Sequence, residues 1–421
     1  MLRSAWSSDQ FSRGSTSFLA VGSSQRHRED LRQPVLDRVF FAGEATADAD
    51  AGTVRGARAS GTRAANEIAK VMGAGDKVAI VGAGAAGAEA ARSLAALGVE
   101  VVVIEARDRT GGRIHSVPAE EGTAATELGA WLLDDAADSG VIVALDRLGI
   151  ATSPIEEGTL IRAASVASAE EPTTPYPIGP DAVGSAVAWA ADQPSDVSLA
   201  DALDESGARE SAADTTVDEL PGAELLDGYL RSLAVVSGAE ASALSAWYAP
   251  PLDGGPRLAV TGTFSTLVDD ALGDTQLFLS TVVLGVSYSD EGVSLRLGGG
   301  ESLTVDRVLL TVPLGVLKNN DIEFEPVLPF GHRAAISALG MGSAETVWLT
   351  FDEPFWATEA TNWSLIGTDD AITTWVNLEP VTGKPVLVGL VGGDVAAELA
   401  ELDDDELLDR VLDGLRPFAS G

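Results

Sequence analysis

Short apolar runs broken by glycine dominate the first quarter of the chain. Lys77-Val-Ala-Ile-Val81 has the length and composition of one buried parallel strand, and Val99-Glu-Val-Val-Val-Ile104 those of a second. Between them, residues 88–97 have the small, alanine-rich composition of a packed helix. Strand, helix and strand in that order predict a βαβ unit. Upstream, Val39-Phe-Phe41 reads as another strand, Ala42-Gly-Glu44 as a turn and residues 53–71 as an Ala/Arg-rich helix. Gly52-Thr53 suits the start of that helix. Gly56 and Gly61 are costly inside it, which predicts close contact with a cofactor or a neighbouring strand. The stretch from 152 to 219, rich in Ala, Ser, Asp and Pro, predicts helices and variable loops.

Composition narrows the class. The chain's 421 residues suffice for two or three domains at roughly 150 residues each. Hydrophobic content of 45% and 45 glycines fit a globular α/β protein with a large core. A formal net charge of −37 argues against binding nucleic acid or an anionic membrane surface. Such acidity more often marks a surface suited to salt or solubility than a substrate. The absence of cysteine excludes disulfides, thiolate metal sites, a catalytic thiol and a thioether-linked cofactor. His27, His115 and His332 are widely spaced, so no metal site is expected. No run of about 18 apolar residues occurs, and Met1-Leu-Arg-Ser-Ala-Trp6 lacks a signal-like apolar core, which predicts a soluble, cytoplasmic protein. Oligomeric state is left open.

The first chemistry lies between the two strands. Gly82-x-Gly84-x-x-Gly87 follows the first strand directly: Gly82 permits a tight turn, Gly84 lets backbone approach a pyrophosphate, and Gly87 lets helix and strand pack closely. The helix start then offers N–H groups to phosphate. Glu105 ends the second strand, 23 positions after Gly82, near the roughly 20 expected of the acid that holds ribose hydroxyls. This context predicts dinucleotide binding, although a purely structural βαβ unit has the same outline. The motif alone does not separate NAD from FAD.

The residues that follow do. Glu105-Ala-Arg107-Asp-Arg109-Thr-Gly111-Gly112-Arg113-Ile114 resembles the extended fingerprint of flavin amine oxidases and related FAD oxidoreductases. Gly111 and Gly112 allow close backbone approach, and Arg107 or Arg113 can meet pyrophosphate through a charge-assisted contact; a surface salt bridge is the plainer use of Arg113. Glu127-Leu-Gly-Ala-Trp131 resembles the family's next block, and Ser280-Thr-Val-Val283 the strand whose backbone meets adenine. Asp37-Arg-Val-Phe-Phe-Ala-Gly43-Glu44-Ala-Thr46, with Gly52-Thr53-Val54, resembles the segment at the flavin's pyrimidine edge. There the resemblance implies a donor at the Val54 N–H and a ribityl contact at Glu44. An ordinary packed helix after a strand is the other use of this segment. Residues 308–318, 338–356, 374–377 and 383–386 resemble later strands and crossovers of the family.

The resemblance implies an α/β fold. A doubly wound, Rossmann-like FAD-binding domain would draw on residues 36–135 and 255–318. A mixed sheet-and-helix substrate domain would use 136–254 and 319–421, with 1–35 supplying last strands at the interface. In the family the 37–46 segment closes the chain and the glycine fingerprint opens it; here the order is inverted. Circular permutation accounts for this, as do a piece of a tandem protein and joined gene ends. Gly73-Ala-Gly-Asp76 would be the joint, short and flexible.

The implied activity is oxidation of a primary or secondary amine, with polyamines among the candidates, to an imine, with non-covalent FAD and with O2 reduced to hydrogen peroxide. Two departures from the family pattern bear on the chemistry, and a third is minor. Thr346 stands where a lysine usually holds a water against the flavin, and Thr16 where many members have one wall of an aromatic amine cage. Phe18, Trp348 or Trp375 can replace that wall, or can be core residues. Arg55 replaces a common histidine. A flavin-binding protein without turnover, and a related FAD enzyme such as an amino-acid oxidase or desaturase, are the alternatives.

Overall fold

Five parallel strands form one sheet, in the order Gln276–Phe278, Glu100–Ile104, Lys77–Val81, Arg307–Leu310 and Val39–Phe41. The computed structural model describes residues 1–118, 125–155, 158–163, 178–250 and 256–419. The central strands read as continuous apolar runs because both faces are buried: helices cover one, and a separate sheet with strands Val283–Ser289, Gly292–Leu297 and Ser302–Val305 packs on the other. Helix α1 (Val54–Val71) lies across α2 (Ala85–Ala96), which starts three residues earlier than its alanine content suggested. A Cβ on Gly61 would sit 2.2 Å from the Ala86 carbonyl oxygen. The partner of this glycine is therefore a second helix, not the cofactor or strand expected; Gly56 abuts the Asp50 carbonyl of its own entry loop. Ile68, Ile80, Leu94 and Val103 fill the layer between helices and sheet and are fully buried, each contributing roughly 1.5–3 kcal/mol.

The second large sheet has six strands, in the order Leu2–Arg3, Ala344–Thr350, Val386–Gly392, Thr374–Asn377, Asn362–Ile366 and Thr159–Ala163. Only its last pair is parallel. Helix α3 (Gly222–Ser237) packs directly on it, where a Cβ on Gly392 would lie 2.0 Å from the Ala234 carbonyl oxygen. With Gly179–Ala191, Leu199–Glu205 and Ala208–Ala213, α3 forms a helical layer. This layer occupies part of the stretch expected to hold helices and loops; residues 156–157 and 164–177 of that stretch lie outside the described residues. The strand expected to run toward Trp356 stops at Thr350. Beyond it Phe351, Phe355 and Trp356 pack edge to face, with ring centroids 4.9–5.7 Å apart.

The two ends of the chain meet in these sheets. Every strand in residues 1–71 pairs with a strand beyond residue 306: Leu2–Arg3 with Ala344–Thr350, Thr16–Phe18 with Gly340–Gly342, and Val39–Phe41 with Arg307–Leu310. The connection 73–76 is pinned, because Asp76 accepts from the Gly73 N–H at 2.7 Å and pairs with the buried Arg307. Among the described residues no helix is long and apolar enough to cross a membrane.

Candidate active site

The glycine fingerprint has a distinct steric reason at each position. Gly82 has φ +110°, a conformation costly for any other residue. A Cβ on Gly87 would lie 2.0 Å from the Gly82 carbonyl oxygen, so helix and turn touch there. At Gly84 the nearest atoms to such a Cβ are 3.8 Å away, which leaves the backbone open to a ligand. Glu105 is buried at the end of the second strand; its carboxylate accepts from the Ala83 N–H at 2.8 Å and the Arg107 N–H at 2.9 Å.

These elements open onto a cavity of about 650 Å³. Gly82, Gly84, Glu105, Arg107, Gly111, Gly112 and Arg113 line one part of it, together with Val283 at the start of its strand. Gly43, Glu44, Thr53 and Val54 line it from the other segment, and Thr16 and Thr346 also face it. Gly87 does not, since it is packed beneath Gly82. Trp375 is corrected from site to core. It is fully buried in a central strand, and its ring covers Gly389, where a Cβ would lie 2.9 Å from it. Phe18 likewise packs over Gly340 rather than lining the cavity.

The charged residues hold one another. Glu44 is buried and accepts from Arg113 Nη1 at 3.0 Å, Ser17 Oγ at 2.6 Å and the Gly52 N–H at 2.8 Å. Burial alone would raise its pKa, but Arg113, Ser17 and Arg28 outweigh burial and hold it below the ordinary value. Arg113 also donates to the Ser15 carbonyl at 2.6 Å, so it is neither a surface salt bridge nor a free fork. Arg107 donates to Asp9 at 2.9 Å and Ser12 at 2.8 Å, with its guanidinium 5.5 Å from the Phe11 ring centre. At the start of α1, Thr53 Oγ1 accepts from the Gly56 N–H at 3.1 Å. Arg55 there bridges Asp50 and Asp138, each at 3.0 Å.

Several lining residues were not singled out as site residues from sequence. Trp131 is one of them; behind it Trp348 is a buried core residue outside the lining, edge-on to Trp131 at 5.2 Å and donating from Nε1 to Thr346 Oγ1 at 3.3 Å. Thr346 Oγ1 in turn donates to the Leu128 carbonyl at 3.3 Å. The Glu-Leu-Gly-Ala-Trp131 block was the available signal for this wall. Asp138, Glu345 and the irregular stretch from Gln10 to Ser12 reach the cavity with no motif to announce them.

The residues fit a flavin dinucleotide. An open backbone at Gly84, a buried acid at Glu105 and a helix start at Val54 share one cavity, of a size usual for cofactor sites.

Comparison with known proteins agrees. A model described as flavin containing amine oxidoreductase matches residues 1–69 and 85–420. Polyamine oxidase 4 of Oryza sativa subsp. japonica is 29% identical over 374 residues, which cover 80% of this chain and 72% of that protein. Lysine-specific histone demethylase 1 homolog 2 of Arabidopsis thaliana is 29% identical over 357 residues, 80% of this chain but 47% of that protein. The chain thus spans about half the length of such demethylase relatives. Among solved structures, a putrescine oxidase bound to putrescine has a TM-score of 0.56 and 22% identity, covering 82% of each chain, a likeness of fold.

Proposed function

The chain belongs to the flavin containing amine oxidoreductase family, and from that premise we propose that it oxidises an amine at the carbon next to nitrogen. Overall, a primary or secondary amine loses two electrons and two protons to become an imine, which water hydrolyses, while O2 takes up two electrons and two protons to form hydrogen peroxide. FAD, when bound, supplies the two-electron acceptor beside that carbon. The absence of cysteine supports non-covalent attachment. We read residues 36–135 and 255–318 as the FAD-binding part. We read the inverted segment order as a circular permutation; the pairing of every early strand with a late one supports this.

The chain's own residues would bind, orient and exclude water. Glu105 would take the ribose hydroxyls and the backbone at Gly84 the pyrophosphate. The start of α1 at Val54 would meet the flavin's polar edge with its positive dipole end. Trp131 and Leu128 would keep water from the amine. The observation that carries this reading is the single cavity shared by residues 43–54, 82–113, 283 and 346.

The test is the visible spectrum of the purified full chain before and after anaerobic addition of a panel of amines. A yellow protein that bleaches supports the oxidase. A colourless protein sinks the reading. A yellow protein that no amine bleaches supports the second reading, flavin binding without turnover. One observation favours that second reading: the Thr346 hydroxyl is already engaged by Leu128 and Trp348 and brings no cation.

A further inference from the structure

Residues 4–15 join two strands, Leu2–Arg3, which pairs with Ala344–Thr350, and Thr16–Phe18, which pairs with Gly340–Gly342. Between those strands the segment crosses to the end of the five-stranded sheet. It is tied down along its length. The buried Glu345 accepts from Ser4 Oγ at 2.6 Å, Ser7 Oγ at 2.8 Å and the Ser7 N–H at 2.9 Å. Arg13 is paired with Asp321, and Arg113 donates to the Ser15 carbonyl at 2.6 Å. Arg107, just beyond the Glu100–Ile104 strand, takes the middle through Asp9 and Ser12. Gln10, Phe11, Ser12, Arg13 and Ser15 line the cavity, so this strap is one of its walls.

Asp9 is the centre of the strap's fold. Its Oδ1 accepts from the Phe11 N–H at 2.7 Å, and its carbonyl accepts from the Arg13 N–H at 2.8 Å. Arg107 Nη2 donates to that same Oδ1 at 2.9 Å and to Ser12 Oγ at 2.8 Å, and the guanidinium stands against the Phe11 ring. Its Nη1 lies 3.8 Å from Glu105 Oε1. The side chain is only 11% exposed, so these contacts fix it. An arginine that grips pyrophosphate offers both prongs of a free fork; here one prong is spent twice on the strap. A wall held in place beforehand spares a ligand the cost of ordering it.

We propose that Arg107 is a positioning residue for the cofactor: it holds residues 9–12 in place as a cavity wall instead of gripping the pyrophosphate. This rests on the flavin reading above and deepens it. A double-mutant cycle on the apo full chain, titrated with FAD and followed by flavin fluorescence quenching, separates the two roles. Asp9→Asn keeps the acceptor for the Phe11 N–H and removes only the charge that Arg107 meets. It is expected to raise the FAD dissociation constant about fivefold. Arg107→Met should raise it at least as much, and adding Asp9→Asn to that variant should change it by about twofold at most. An arginine gripping phosphate predicts the reverse for Asp9→Asn, because losing Asp9 frees the fork. An unchanged or lower dissociation constant in Asp9→Asn, or effects that multiply in the double variant, overturns the proposal. The Asp9 side chain is 29% exposed, so its variant decides the direction even where Arg107→Met does not fold. A second readout follows the strap without cofactor: trypsin cleavage of the apo chain after Arg13, identified by mass, should be faster in both single variants. Equal cleavage rates in all three chains also overturn the proposal. A wild-type chain that binds no FAD removes the flavin reading together with this one, whereas a chain that binds FAD and fails the cycle removes this one alone.

Discussion

The Arg113 guanidinium donates to the Glu44 carboxylate at 3.0 Å, tying together two segments 69 residues apart in sequence. Glu44 is buried, so removing its partner leaves a charge with less compensation. Arg113→Met is expected to cost about 2–3 kcal/mol in urea unfolding, below the full value for a buried pair because Arg28 and Ser17 remain. Glu44→Gln added to that variant should recover part of the loss. The pH dependence has a definite sign. The folded pKa of Glu44 lies below its ordinary value, so its contribution is present above the unfolded value and is lost as pH falls through the folded one. Arg113→Met should flatten that acid limb.

Gly84 and Gly87 separate binding from folding. A methyl at Gly87 meets the Gly82 carbonyl at 2.0 Å, backbone against backbone, and nothing flexible can give way. Gly87→Ala is expected to destabilise the apo chain at the upper end of the about 1–3 kcal/mol typical of overpacking. A methyl at Gly84 enters open space on the cavity side. Gly84→Ala should leave the apo melting temperature nearly unchanged and weaken FAD affinity about tenfold or more, measured by flavin fluorescence quenching. Equal effects of both variants on melting would refute this division.

Much of the FAD-binding part is legible in the sequence because its strands are buried on both faces and its turns demand glycine. The Lys77–Val81 and Val39–Phe41 strands and the Val54–Val71 helix have bounds within a residue of those read from composition. The same burial misleads at Trp375. The Thr374–Asn377 strand is covered on both faces, so alternation cannot say which side chain meets a cavity and which meets the core. Glu345 and Asp138 were hidden for another reason. Their partners, Ser4 and Ser7 for one and Arg55 for the other, lie far off in sequence and belong to no periodic pattern.

His115 lies beside the Trp6 ring and near Arg109 and Arg107. Burial, then these two cations, lowers its pKa from 6.5 to about 4. A histidine kept neutral in the fold is protonated more readily once unfolded. The unfolded chain therefore binds more protons between pH 6.5 and about 4, and stability falls as pH drops through that window. His115→Gln should remove this part of the slope while leaving stability above pH 7 within about 1 kcal/mol. Melting temperatures measured across that range check it, and a variant with an unchanged slope would assign the titration elsewhere.

Thr346 offers the sharpest test of catalysis. Its hydroxyl donates to the Leu128 carbonyl and accepts from Trp348 Nε1, both at 3.3 Å. These are long bonds, so Thr346→Val should cost only about 0.5–1.5 kcal/mol of stability. It should alter turnover little if the hydroxyl serves structure alone. Thr346→Lys introduces a flexible cation at the cavity wall, where it can hold a water and stabilise developing negative charge. If the protein is an oxidase, that variant should speed flavin reduction by amine or reoxidation by O2, followed separately by stopped-flow absorbance at 450 nm, a wavelength set by roughly where oxidised flavins absorb. The two half-reactions discriminate, because a cation beside bound O2 aids the second without affecting the first. No change in either rate would mean that Thr346 does not occupy the position from which the chemistry is controlled.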